Sequence, residues 1–244
     1  MRFDVRAKLD DVLLPHQPTG TVQLQGPNAE YLTDVLRMQQ VTTGPLDLTA
    51  TMAPVGDKMQ LLITGMFGQF ALDVSGQFVD LQDLTEVDAR VAASGPDSSA
   101  VARLFGNDTV PAEPFAIVGN LKRSGQSLEV DGIKVSVGKS RFDISGRFDD
   151  FPDPHSARAS IVIEAPDFGQ FNRLIGLPGR LTGPFKLDAD LSPLADGGAI
   201  VNLNAVTEDM QFEIVGNVSR RSDFVGTRVE VKSTGRNFQI LAAA

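Results

Sequence analysis

One feature constrains the fold more than any other: the 244-residue chain repeats itself every 69 or 70 residues. Gly95-Pro96-Asp97, followed by Arg103-Leu104-Phe105-Gly106, returns seventy residues on as Ala165-Pro166-Asp167 and Arg173-Leu174-Ile175-Gly176. Sixty-nine residues back, the counterpart is Gly26-Pro27-Asn28 followed by Val35-Leu36. In the same frame Pro114-Phe115 maps onto Pro184-Phe185 and Pro45-Leu46. Phe142-Asp143-Ile144-Ser145-Gly146 maps onto Phe212-Glu213-Ile214-Val215-Gly216 and Leu72-Asp73-Val74-Ser75-Gly76. The frame also reaches Phe3-Asp4-Val5 and Gly235-Arg236-Asn237-Phe238. A fixed period of this length implies one supersecondary unit that buries its apolar side by stacking on its own copies. The expected organisation is a partial repeat at 1–25, complete repeats at 26–94, 95–164 and 165–234, and the start of another at 235–244, all in one continuous solenoid-like domain. No capping unit stands at either end, so the chain reads as a stretch of a longer polypeptide.

The period within each unit is two. Leu46, Leu48, Ala50 and Met52 alternate with Asp47, Thr49 and Thr51, and Leu72, Val74 and Phe78 with Asp73, Ser75 and Gln77. Successive side chains of a strand point to opposite faces, so this is a sheet with one dry and one wet side. The expected fold class is mainly β: about four antiparallel strands plus a short helix per repeat. The helical spacing lies at Tyr31, Leu32, Val35 and Leu36, at Val101, Leu104 and Phe105, and at Phe171, Leu174 and Ile175. Parity slips between Leu128/Val130 and Ile133/Val135/Val137, which places a β-bulge at Asp131-Gly132. Some 14 strands at roughly 4.8 Å each give a sheet on the order of 65 Å wide. Sheets this wide curl or become covered, and helices this short cannot cover one, so the expectation is a curled sheet with an apolar groove. The residues expected to line it are Leu46, Leu48, Leu72, Val74, Phe78, Phe115, Ile117, Leu121, Phe142, Ile144, Phe148, Ile161, Ile163, Phe185, Leu187, Phe212 and Ile214. A closed barrel or sandwich that buries the same stripe is the alternative.

Charge narrows the partners. A net charge of −9 and a pI near 4.7 exclude the basic stripe that nucleic acid demands, and disfavour contact with anionic headgroups. Apolar runs such as Leu61-Leu62-Ile63 fall far short of the roughly 20 residues that cross a bilayer, and the N-terminus has no signal-peptide core. The chain has no cysteine, hence no disulfide and no thiolate ligand.

The string Phe171-Asn172-Arg173-Leu174-Ile175-Gly176-Leu177-Pro178, then Leu181-Thr182-Gly183-Pro184-Phe185, Leu187 and Leu191, resembles the AsmA-like family of large Gram-negative envelope proteins (the AsmA, TamB and YhdP type). The other copies carry the same pattern, so the resemblance extends over essentially the whole chain. It implies a periplasmic bridge anchored in the inner membrane, whose hydrophobic β-groove conducts phospholipid acyl chains. It further implies a part in outer-membrane lipid homeostasis and in protein targeting or assembly there, with outer-membrane assembly proteins as partners. Membrane contact would run through parts of the parent chain other than these residues. The alternative within the resemblance is a chaperone-like scaffold without lipid transfer.

Catalysis finds no foothold in the residues, and the expectation is a non-enzyme with no cofactor and no metal. His16 and His155 each sit beside prolines and read as solvated turn residues. Asp4, Asp73, Asp143 and Glu213 recur, but successive copies four strands apart stand roughly 19 Å from one another. A catalytic carboxylate pair needs less than about 10 Å. The turn Asp149-Asp150-Phe151-Pro152-Asp153 lacks the ligand register of a calcium loop.

Overall fold

The computed structural model describes residues 4–9, 19–29, 44–79, 86–104, 110, 112–151, 153, 156–169, 183–194, 198–219 and 225–235. The chain divides into two compact units, residues 1–125 and 126–244. The first holds β1 (Asp4–Leu9), β2 (Gly20–Gly26), β3 (Leu46–Val55), β4 (Lys58–Phe67), β5 (Phe70–Phe78), β6 (Glu86–Gly95), α1 (Ser98–Leu104) and β7 (Phe115–Ser124). The second holds β8 (Ser127–Val137), β9 (Ser140–Phe148), β10 (Ala157–Ala165), β11 (Phe185–Pro193), β12 (Ala199–Thr207), β13 (Met210–Val218) and β14 (Arg228–Gly235). Within each unit the seven strands follow one another in chain order, and each pairs antiparallel with the next.

Short turns impose this meander. Gly56-Asp57 joins β3 to β4, and Gly68-Gln69 and Gly138-Lys139 join β4 to β5 and β8 to β9. Gly56, Gly68 and Gly138 have φ of 67°, 62° and 55°, the left-handed conformation that matches a two-residue turn to the twist of its strands. The turn Glu208-Asp209 has no glycine; there the Thr207 hydroxyl accepts a bond of 3.1 Å from the Met210 amide. The longer connections that follow β2, β6 and β10 close at their necks through one backbone bond each. Ala29 N donates to Gly44 O (2.7 Å), Ser98 N to Glu113 O (2.8 Å) and Phe168 N to Gly183 O (2.8 Å).

The bulge lies where parity slips. Val130 pairs with Gly146 and Ile133 with Ile144, so β8 carries one residue more than β9 across this interval. Gly132 takes φ 57° there, and its amide donates to the Ser145 hydroxyl at 3.2 Å. The extra residue keeps Leu128 and Val130 on the same side as Ile133 and Val135. Of the three expected helical stretches, only the second falls on described residues, as the seven-residue α1. Those at 31–36 and 171–175 lie outside the described residues, as do His16 and His155.

Val225 belongs to a turn with Gly226 (φ 95°), and β14 begins only at Arg228. The wet face is less polar than alternation alone suggests. Leu62 and Met66 point to the side shared by Thr51 and Asp47 and are exposed, because β4 carries apolar residues at both parities.

Candidate functional site

Register assembles the apolar face row by row. In the first unit Leu24, Leu48, Gly65, Leu72, Ala93 and Ile117 face one another across β2 to β7. The next row is Val22, Ala50, Ile63, Val74, Val91 and Gly119, and the one after it Gly20, Met52, Leu61, Gly76, Ala89 and Leu121. In the second unit Val135, Phe142, Ile163, Leu187, Ala205 and Phe212 form one row across β8 to β13. Beside it run Ile133, Ile144, Ile161, Ala189, Leu203, Ile214 and Val231. Phe148 lies opposite Leu128 and Ala157, Phe185 opposite Ala165, Phe115 opposite Gly95, and Phe78 opposite Met59 and Val87. All seventeen residues named from the sequence therefore stand on the dry side of their own unit.

Burial divides them. Leu46, Phe78, Phe115, Ile163, Phe185 and Leu187 are buried. Leu48, Leu72, Val74, Ile117, Leu121, Phe142, Ile144, Phe148, Ile161, Phe212 and Ile214 are only half-buried. In the first unit the buried residues lie along two margins. Leu46 is 1% exposed at the margin of the long connections, with Phe70 and Phe115 packed edge-on at 5.5 Å. Met59, also 1% exposed, stands beside Phe78 at the opposite margin. No large side chain of the three rows between them is buried. In the second unit Ile163, Phe185, Leu187, Ala189 and Ala205 form a cluster that Phe142, Ile161, Leu203 and Phe212 flank. Phe168, from the neck of the connection after β10, caps it with its ring edge-on to Phe185 at 4.9 Å.

Glycines set how closely the strands approach. A Cβ on Gly76 would sit 2.7 Å from the Asp88 carbonyl oxygen, and one on Gly146 2.7 Å from that of Arg158. Gly216 meets the carbonyl of Arg228 in the same way. Each glycine is on the apolar face, and the obstructing atom belongs to the neighbouring strand, so a larger residue there would meet backbone. The sequence carried this signal in the recurring Gly76, Gly146 and Gly216, but hydrophobic alternation does not register it.

The wet face holds the titratable groups. Asp73, Asp143 and Glu213 are exposed, opposite Thr64 and Ala92, Lys134 and Val162, and Asn204 and Lys232 respectively. In the acidic turn, Asp149 is clasped by Arg147 (2.9 Å) and Arg158 (3.2 Å), and the Ser156 hydroxyl donates to the carbonyls of Asp150 and Asp153. That carboxylate bridges two arginines that face each other across β9 and β10. Asp97 caps α1: its carboxylate accepts from the Ser99 hydroxyl (2.6 Å) and the Ser99 amide (2.9 Å). The Ser99 hydroxyl bond is the main cause that holds its pKa below the ordinary aspartate value, against the opposing effect of burial. A shallow depression of about 410 Å³ at the connection end of the second unit is lined by Lys139, Glu164, Phe185, Lys186 and Val206 among others. Among the described residues, no three His, Cys, Asp or Glu side chains gather as metal ligands, and no helix is long and apolar enough to cross a membrane.

These features define a mainly β protein of antiparallel meanders, each with one apolar and one largely polar face. No family model, no curated protein and no solved structure matches the chain.

Proposed function

We propose that this chain is a tandem-repeat segment of an AsmA-like periplasmic bridge protein, and that its apolar face forms a groove that binds and conducts phospholipid acyl chains. The parent protein is held in the inner membrane and serves outer-membrane lipid homeostasis and biogenesis. The role is non-catalytic and needs no cofactor. One observation carries the reading: the first unit's middle rows of Leu, Ile and Val stay half-open between two margins of buried residues. Contiguous exposed apolar surface of this kind marks a ligand or partner.

Three further observations support the repeat and the curl. The neck bonds at Ala29, Ser98 and Phe168 recur at intervals of 69 and 70 residues. The Gly76, Gly146 and Gly216 approaches recur every seventy, against the carbonyls of Asp88, Arg158 and Arg228, themselves seventy apart. Glycines at recurring positions on one face are a device by which a sheet curves into a trough.

Acyl chains would bind by area, at roughly 25 cal/mol for each Å² removed from water. Purely apolar walls discriminate weakly between chains that differ by a methylene. Native mass spectrometry of protein purified without detergent tests the reading: the expected spectrum contains phospholipid adducts. Phe142→Glu or Ile144→Glu removes them, whereas Gln77→Glu on the wet face leaves them. A lipid-free mass for the unsubstituted chain overturns the proposal.

A second reading, a scaffold that engages strands of outer-membrane proteins, is favoured by the exposed valines of β14. Phe212→Glu separates the two, since it abolishes lipid loading and leaves pairing at a sheet edge intact.

A further inference from the structure

The dry rows are uncharged with one exception. Among the described residues, Arg123 is the only charged side chain at a dry-face strand position of either unit. It ends the row of Pro54, Met59, Phe78 and Val87, at the margin opposite the long connections. Its side chain is half-buried, while that of Lys122, next to it on the wet face, is exposed. The repeat does not require a cation there. The same position is Pro54 sixty-nine residues earlier and Pro193 seventy residues later, and neither carries a charge. Arg123 Nε donates to the Gly125 carbonyl at 3.2 Å, which ties the head of the side chain to the end of β7. That bond takes one of the five donors of a guanidinium, a flat fork whose geometry matches phosphate oxygens in pairs. Of the carboxylates on β6, Glu86 pairs with Ser124 and accepts from its hydroxyl at 2.8 Å, and Asp88 pairs with Lys122. Both stand at wet-face positions, on the side away from Arg123.

We propose that Arg123 is a headgroup anchor: its guanidinium holds the phosphodiester of a phospholipid whose acyl chains lie on the dry face of the first unit. This rests on the acyl-chain reading and adds the part of the cargo that apolar rows cannot recognise. Leu, Ile and Val bind by the area they cover and respond alike to any lipid with the same chains. A cation at the rim of those rows discriminates, because a charge-assisted hydrogen bond is roughly twice as strong as a neutral one. From Arg123 to Phe115, β7 extends about 27 Å. One leaflet fills half of a bilayer's roughly 30 Å hydrocarbon core, so chains that start at the anchor end before the strand does. The chain's net charge of −9 acts on a membrane surface as a whole, whereas a single phosphodiester in contact with Arg123 meets the local cation first.

Displacement of a bound apolar dye from the full chain tests the anchor, with dioctanoyl phosphatidylcholine compared against dioctanoylglycerol, which has the same chains and no phosphate. Neither lipid has a net charge, so the −9 of the chain acts alike on both. The phosphatidylcholine is expected to bind about tenfold more tightly, the lower end for a hydrogen bond to a charged group. Arg123→Gln removes that preference and leaves the affinity for dioctanoylglycerol unchanged, which certifies that the variant folds. Arg123→Lys keeps part of the preference, and Lys122→Gln on the wet face keeps all of it. Equal affinity for the two lipids in the unsubstituted chain overturns the anchor and leaves the groove standing, as for an arginine whose stem merely covers apolar surface. A fall in affinity for both lipids alike in Arg123→Gln assigns the residue a structural role and also overturns the anchor. So does a loss of preference in Lys122→Gln as large as in Arg123→Gln, which makes general charge the cause. Glycerophosphocholine that competes as strongly as the lipid makes a free phosphate ester the ligand and overturns it too. Displacement by neither lipid overturns groove and anchor together.

Discussion

At Gly76, Gly146 and Gly216 a hydrogen is the largest group the neighbouring strand accommodates, because a backbone carbonyl occupies the place of a Cβ. Gly146→Val must push β10 away from β9. Overpacking of this kind costs about 1–3 kcal/mol, to be measured by urea denaturation. Leu46→Ala, at the most deeply buried margin of the first unit, leaves a cavity and costs about 2–5 kcal/mol in the same assay. Asp97 acts through charge. Its folded-state pKa lies below the ordinary aspartate value, so its contribution is present above that value and is lost as pH falls through the lower folded one. Asp97→Ala should cost about 1 kcal/mol near neutrality, as for other helix N-caps. The gap in melting temperature between that variant and the parent should close as the solution is acidified below the aspartate range. A gap that stays constant into strong acid would assign the effect to something other than the ionised cap.

A strand tolerates the loss of a residue only where one is surplus. Between Val130 and Ile133 the bulged β8 has one residue more than β9 requires. Deletion of Gly132 makes the strand regular and leaves Leu128, Val130, Ile133, Val135 and Val137 on one face. Deletion of Thr49 does the opposite in β3: it flips either Leu46 and Leu48 or Ala50 and Met52 to the wet side, because the side-chain period is two. The first variant should keep cooperative unfolding with a modest loss, the relief of a left-handed glycine offsetting the lost bond to Ser145. The second should lose the near-native denaturation transition. Chemical denaturation followed by far-UV circular dichroism compares them directly, and equal damage from both deletions would count against the bulge as the register adjuster.

The native chain should bind an environment-sensitive apolar dye while fully folded, since its dry rows are half-open rather than sealed. Added phospholipid should compete for that dye, and Ile144→Glu should reduce the signal without lowering the unfolding free energy by more than about 3 kcal/mol, as expected where a side chain is not fully buried. Dye binding that appears only on unfolding would mean that the face is closed in solution.

Strand parity, the bulge at Asp131-Gly132 and the placement of Leu48, Phe142, Ile161 and Phe212 on one side were legible in the sequence. They depend on the covalent geometry of the strand, which alternates side chains whatever lies nearby. The wet-side Leu62 and Met66 were not legible, because β4 is apolar at both parities and alternation cannot choose between them. The clasp of Asp149 by Arg147 and Arg158 also escaped, as did the carbonyls that Gly76, Gly146 and Gly216 meet. Each depends on the strand that arrives alongside. The sequence by itself determined which residues share a face. The tertiary structure alone decided which of them are buried, as at Leu46 and Met59, and which stay open, as at Leu72 and Ile144. Burial is set by the return of distant connections and the closeness of neighbouring strands, and neither quantity is local to the chain.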